Sequence, residues 1–407
     1  MTSYPDCTSY PDFTSPAFLR DHIASILHFY APHARDHEGG FFHHFLDDGT
    51  VYDASTRHLV SSTRFVFNYA SAFLHGGNEQ HRDWAAHGLA YLRSHHQMPP
   101  LRQNLPGHFC WQRHGKDIED ARAMAYGHAF VMLAAAYGVR AEIDGAAELL
   151  DDSWQLMEAL FWDGEHGAYA DERDQSLDIL LPYRGQNANM HAVEALLAAY
   201  ESTREARYLD RAAIIAGKFT VTMTASTDGQ IWEHYTNDWQ HDWDYNIDKP
   251  DDLFKPWGYQ PGHQVEWAKL ILQLHRHRPE GWHIERACGL FDGAMEKGWD
   301  EVHGGLVYGY APNGDFCDAN KYFWVQAEAI AAAWRLFSVT GSESYRQHYQ
   351  RLWQWSWDHL VDHRHGAWFR ILTRDGQWME PYKSPAGKVD YHTLGACYDI
   401  LDAMAGS

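Results

Sequence analysis

No stretch of this chain approaches eighteen consecutive apolar residues, so nothing in it reads as a membrane-spanning helix. Basic residues are scarce: 33 Lys and Arg stand against 55 Asp and Glu, a formal charge of −22. That balance excludes a nucleic-acid or anionic-membrane surface, since both call for basic patches. Cysteine is rare and odd in number, five residues with no C-x-x-C pair, which predicts reduced thiols in a cytoplasmic protein. The first residues carry Asp6 and Asp12 and no apolar segment, unlike a secretory signal. The near-duplicate Thr-Ser-Tyr-Pro-Asp at 2–6 and 8–12 predicts a flexible lead-in over residues 1–17, ahead of a single domain over 18–407. Also missing are G-x-G-x-x-G, a P-loop, G-x-S-x-G and H-E-x-x-H, which removes support for dinucleotide, phosphate-cradle, serine-hydrolase and zincin chemistry.

What the chain does have is aromatic and imidazole side chains: 18 Trp, 23 Tyr, 19 Phe and 29 His in 407 residues. Rings beside neutral polar groups suit sugar binding, because ring faces stack on C–H faces while polar edges bond hydroxyls. They equally suit a large core in need of bulky filler.

A weak internal repeat runs through the sequence. Its mark is a glycine, an aromatic or aliphatic pair, then a turn rich in Asp, Gly or Asn. The marks sit at Gly40, Gly107, Gly167, Gly229, Gly305 and Gly366, and each reads as a short hairpin-like loop. Between them the apolar spacing is helical, in twelve runs from Phe18–Tyr30 to Tyr391–Met404 that fall into pairs. The repeat, 60–76 residues long, exceeds that of an open solenoid. It predicts an all-α fold closed on itself, an (α/α)6 barrel of six helix pairs with the long loops on one face. The inner helices should be the more apolar, as 121–137, 192–200 and 327–333 are.

Such a barrel has one open mouth, where polar residues at inner-helix starts do the chemistry. Three histidines fall there: His191, His263 after the turn Pro261-Gly262, and His392 at the start of the last helix. Their equivalent repeat positions point to a functional role, above all for His263 with His392. The pairs His191/Glu194 and His263/Glu266 raise the question of a metal, but their order is the reverse of the Glu-x-x-His of di-iron bundles, and no Cys/His cluster accompanies them. No metal and no cofactor are expected. A glycoside hydrolase on the same barrel would need two flanking carboxylates, for which Glu266 and Glu328 are the candidates.

The segments 183–195 (Tyr-Arg-Gly-Gln-Asn-Ala-Asn-Met-His-Ala-Val-Glu-Ala) and 261–267 (Pro-Gly-His-Gln-Val-Glu-Trp) resemble the N-acylglucosamine 2-epimerase superfamily. The resemblance runs from Ser61-Ser62-Thr63-Arg64 to Asp390-Tyr391-His392 and is narrowest to the aldose–ketose isomerase branch, which acts on mannose and related sugars. It implies a metal-independent (α/α)6-barrel enzyme that moves a proton beside a sugar carbonyl. It places the two acid/base histidines on His263 and His392. It places substrate contacts on Arg64, Asn187, His191, Glu266, Trp324, Glu328, Tyr126 and His128. It implies a free aldose such as D-mannose as substrate and D-fructose as product. C2 epimerisation is the runner-up, and a non-enzymatic protein-binding relative is a third reading. A monomer or homodimer is expected, without a nucleic-acid or membrane partner.

Overall fold

A computed structural model describes residues 10–406. Among them twelve α-helices follow one another: α1 (Pro16–Tyr30), α2 (Leu59–Leu74), α3 (Glu79–Tyr91), α4 (Ala125–Arg140), α5 (Ala146–Leu160), α6 (Gln186–Thr203), α7 (Ala206–Gly217), α8 (Pro261–His277), α9 (Trp282–Gly298), α10 (Phe323–Thr340), α11 (Glu343–His359) and α12 (Tyr391–Ala405). The even-numbered helices pack side by side into a closed inner ring, and each has an odd-numbered helix behind it. Ring closure joins the two chain ends: α1 backs α12, and the Tyr30 hydroxyl donates to Asp390 at 2.5 Å. The ring is the (α/α)6 barrel expected from the repeat.

Sequence separates the two rings. Helix α4 buries nearly its whole circumference, with a run of small residues at Ala134–Ala136 that lets neighbours approach, whereas α11 buries one stripe, including Tyr345, Tyr349, Leu352 and Trp353. A helix apolar all round belongs inside and an amphipathic one outside. Inner helices pass to outer ones by short turns, such as residues 75–78 and 341–342. Outer helices return to inner ones by long loops, which hold every described strand. All six inner helices therefore present their N-termini to the face where the long loops gather.

The glycine marks lie where each outer helix turns back. Gly40, Gly167, Gly229, Gly305 and Gly366 have φ between +68° and +87°, a region that favours glycine. Just beyond them a strand-like residue is clamped by the fourth residue of the following inner helix. Asn189 bonds both the N–H and C=O of Tyr169 (2.8 and 2.9 Å), Gln264 those of Ile231 (2.9 and 2.8 Å), and Gln326 those of Leu306 (3.0 and 2.7 Å).

Of the lead-in expected over 1–17, residues 1–9 lie outside the described residues. Residues 10–17 are docked on the outer ring rather than free. The Phe13 ring stacks on Trp353 at 5.5 Å, and the Tyr10 hydroxyl donates to Asp358 at 2.6 Å. Cys110, Cys288, Cys317 and Cys397 are free thiols, and no described helix is long and apolar enough to cross a membrane.

Candidate active site

The barrel mouth holds a cavity of about 660 Å³, built in two layers. The second residues of four inner helices form the upper layer: Tyr126, Asn187, Trp324 and His392. The sixth residues of three inner helices form the lower one: Arg64, His191 and Glu266. Positions i and i+4 share a helix face, so the same face of an inner helix can supply either layer, and in α6 it supplies both, with Asn187 and His191. His263, third in α8, enters beside Trp324 with ring centroids 5.0 Å apart. Gly262 makes room: a Cβ there would come within 2.4 Å of the Trp324 ring. The 242–258 loop roofs the cavity with Leu253, Phe254 and Pro256.

Each of the two candidate acid/base histidines is backed by a buried glutamate. His263 Nδ1 lies 2.9 and 3.0 Å from the Glu233 oxygens, and Nε2 has no hydrogen-bond partner among the described residues. Gln186 completes this arrangement. Its amide nitrogen donates to Glu233 at 2.9 Å and lies 2.9 Å from His263 Nδ1, while its oxygen accepts from Trp267 Nε1 at 2.7 Å. His392 Nδ1 donates to Glu328 at 2.7 Å, again with Nε2 unbonded, and Lys269 donates to the other Glu328 oxygen. Burial pushes His392 down to about 4, against the pull of Glu328, so its ring is a neutral base near pH 7. Burial raises the Glu328 carboxyl, but Lys269 and His392 more than offset this and bring it to about 2.

The turn that delivers His392 is held in an unusual backbone. Val389 and Asp390 have φ of 36° and 48°, costly for non-glycine residues and stable only where the surroundings impose it. Here they do: Asn68 donates to the Val389 carbonyl at 2.7 Å, Ser61 accepts from Gly387 N at 2.8 Å, and Lys388 donates to Asp390 at 2.6 Å.

Arg64 donates to the Gly387 carbonyl and, at 3.2 Å, to the Tyr126 hydroxyl. Its guanidinium lies 4.5 Å from the Phe130 and Tyr391 ring centroids. His191 Nδ1 donates to Glu194 at 2.9 Å, and burial lowers its basicity. Glu266 is fully buried, and neither oxygen has a hydrogen-bond partner among the described residues. Burial and the neighbouring Glu328 carboxylate push it well above the usual carboxyl range, so it presents a neutral acid.

Two expected contacts lie elsewhere. His128 is spent as a clamp of the kind described above: Phe109 N donates to Nε2 (3.1 Å) and Nδ1 donates to the Met124 carbonyl (2.8 Å). It is the fourth residue of α4, the position that faces the hairpin and not the mouth. Glu328 stands behind His392 with both oxygens engaged and does not line the cavity. Glu233 and Gln186 went unforeseen; neither has a fixed sequence spacing to His263, although Gln186 lies in the polar run that opens α6.

Among the described residues two groups come within metal-ligating distance, His191/Glu194/Glu266 and Glu266/Glu328/His392. In both, protein partners already occupy donors: Glu194 takes His191 Nδ1–H, and Lys269 holds Glu328. Overnight dialysis against EDTA is therefore expected to leave turnover unchanged; loss of activity restored by Mn²⁺ or Co²⁺ overturns the metal-free reading. Hydrolysis fits poorly as well. With Glu328 behind His392, both oxygens engaged and outside the cavity lining, Glu266 and Glu328 do not flank a bond in the cavity.

The chain is 48% identical over 397 residues to the D-mannose isomerase of Marinomonas mediterranea, covering 97% of this chain and 99% of the relative. It is 37% identical to the D-mannose isomerase of Thermobifida fusca, covering 77% and 76%. A crystal structure of a D-mannose isomerase superposes with a TM-score of 0.93 at 49% identity, over 97% of this chain and all of that one. The pattern of the N-acylglucosamine 2-epimerase (GlcNAc 2-epimerase) family matches residues 40–396, and the chain belongs to that family.

Proposed function

We propose that this protein is an aldose–ketose isomerase that interconverts D-mannose and D-fructose by histidine acid/base catalysis, without a metal. The observation that carries the reading is the pair of imidazoles, His263 and His392. Both reach one cavity, both are backed at Nδ1 by a buried glutamate, and Trp324 stands beside each ring, at 5.0 and 5.6 Å. The similarity to two D-mannose isomerases supports the choice of substrate.

The chemistry follows from what an aldose requires. Its C2 proton is weakly acidic until the ring opens and the carbonyl is polarised. His263 assists ring opening by moving a proton between the anomeric hydroxyl and the ring oxygen. His392 then takes the C2 proton on Nε2, leaving a cis-enediolate; the proton of the C2 hydroxyl passes to O1, and His392, whose carried proton exchanges with solvent, protonates C1 on the same face. Glu328 accepts the His392 Nδ1–H throughout and stabilises the imidazolium. Charge developing on the carbonyl oxygen meets Arg64, the neutral Glu266 carboxyl and the N-terminal ends of the inner helices. Tyr126, Asn187 and His191 bond hydroxyls, and Trp324 gives a ring face for C–H groups.

Incubation with D-mannose in D2O, followed by NMR, tests the reading. Fructose carrying deuterium at C1 is expected. Glucose as the main product assigns 2-epimerisation instead, and no exchange or product from free aldoses sinks both. For Arg64→Ala the expectation is a folded protein whose kcat falls by about 10²-fold or more, the cost of losing a donor to a developing oxyanion. A normal kcat with only a raised KM reduces Arg64 to uniform substrate binding.

A further inference from the structure

We infer that Lys269 is a positioning residue for His392: it pins the Glu328 carboxylate, and that carboxylate in turn fixes the His392 ring with Nε2 toward the sugar. The inference rests on the isomerase reading for what His392 does, but its geometry stands apart from the choice of substrate.

Lys269 is the ninth residue of α8, one turn beneath Glu266 and on the same face. It is 5% exposed, and its one described bond runs to Glu328. A buried lysine survives only with a strong anionic partner. Four carboxyl groups face it: Glu328 from α10, Glu266 from its own helix, Glu194 from α6 and Asp399 from α12. Three of these are taken elsewhere or neutral. Glu194 accepts from His191 and from the Tyr391 hydroxyl. Asp399 is held by Arg335 of α10 and Gln273 of α8. Glu266 is the neutral acid described above. Of the other nearby cations, Arg276 of α8 is committed to Glu201 and Arg64 of α2 to Gly387 and Tyr126. Lys269 is therefore the cation that balances Glu328.

That balance matters for the base. Without Lys269 the buried Glu328 carboxylate, with only an imidazole for company, binds a proton more readily, either on itself or on His392. In both cases His392 loses its readiness to accept the C2 proton. With Lys269 present, Glu328 keeps its charge whether His392 is protonated or not. Lys269 and Glu328 also line a second, polar cavity of about 660 Å³ on the far side of the sugar site, so the ion pair forms the partition between the two.

The test compares kcat/KM pH profiles for wild type, Lys269→Met, Lys269→Arg, Glu328→Gln and the double variant Lys269→Met/Glu328→Gln, with the fold checked by circular dichroism. His392 is followed in parallel by ¹⁵N NMR titration, which does not depend on any substrate. The working form of His392 is unprotonated, so activity falls as pH drops through its pKa, and a raised pKa moves the acidic limb upward. Lys269→Met is expected to move that limb, and the His392 titration, up by about one pH unit or more. Activity on the acidic limb should drop about 10-fold or more relative to wild type, with the pH 7 plateau less affected. Lys269→Arg should restore both, and in the Glu328→Gln background removing Lys269 should move neither. A folded Lys269→Met with a wild-type limb and titration overturns the proposal. If Lys269→Met does not fold, the double variant decides, since it removes both charges together: a titration matching Glu328→Gln supports the proposal, and a further shift overturns it. A wild type inactive on mannose sinks the isomerase reading alone, and the NMR titration then decides the role of Lys269.

Discussion

His392→Asn is expected to abolish exchange of the C2 hydrogen, in both directions and with any aldose that binds. Asparagine can still donate an N–H toward Glu328, replacing the 2.7 Å contact of Nδ1, so the strained turn at Val389–Asp390 and the buried Lys269–Glu328 pair keep their partners. What asparagine lacks is an atom that takes and returns a proton. Losing a general base costs about 10²–10⁴-fold. In the wild type, burial brings His392 down to about 4. The sign is that of a base: the reactive form is present above that value and lost as pH falls through it. The acidic limb set by His392 should therefore lie well below that of a free histidine. Deuterium incorporation at C2 of mannose, measured by NMR over hours in D2O, checks the variant directly. Exchange near the wild-type rate in a folded variant removes His392 from the chemistry and leaves His263 and Glu266 as the groups in reach.

The ring was legible because its cause is local. Glycine marks recur where a left-handed residue must turn the chain, and between them the apolar spacing changes from amphipathic to all-round, which sorts outer from inner helices. The cavity was partly legible for the same reason. Residues at the second and sixth positions of inner helices converge by helix geometry alone, so His191, Glu266, Trp324 and His392 share one mouth although up to 201 residues separate them. Residues whose role depends on the neighbouring repeat were hidden. His128 looks like a site residue because it is polar and begins an inner helix, yet the fourth position faces the hairpin, where a polar side chain satisfies backbone that the turn leaves unpaired. Glu233 comes from a loop, so no spacing ties it to His263. Lys269 did leave a trace: Glu266, Lys269 and Gln273 put a polar stripe on a helix whose other positions are Val265, Trp267, Ala268, Leu270 and Ile271. Polar residues at i, i+3 and i+7 share one helix face, here the one turned to the barrel interior, and a stripe of that kind is a usable signal.

His263→Asn separates ring opening from proton transfer. His263 sits where the chain gives it a fixed tautomer: Glu233 accepts from Nδ1 at 2.9 Å, and Gln186, itself held by Trp267, braces the same carboxylate. A ring so locked offers Nε2 alone to the sugar. In the proposed division of labour this nitrogen moves the proton that opens the pyranose, while His392 works on the open chain. Turnover of cyclic mannose by His263→Asn should fall about 10²–10⁴-fold. Reaction driven from fructose, whose open-chain fraction is larger, should keep measurable hydrogen exchange, because His392 and Arg64 are intact. Glu233→Gln should follow the same pattern more weakly, since it loosens the ring without removing it. The comparison needs only initial rates from both directions and the deuterium content of each product. If His263→Asn loses exchange from both sugars equally, His263 takes part in the proton transfer itself, as the opposite-face acid of an epimerase would, and the division of labour fails while the histidine pair stands. If His263→Asn and His392→Asn both run near wild-type rates, the pair is not the acid/base machinery, and the two glutamates that back it become ordinary structural anchors of buried imidazoles.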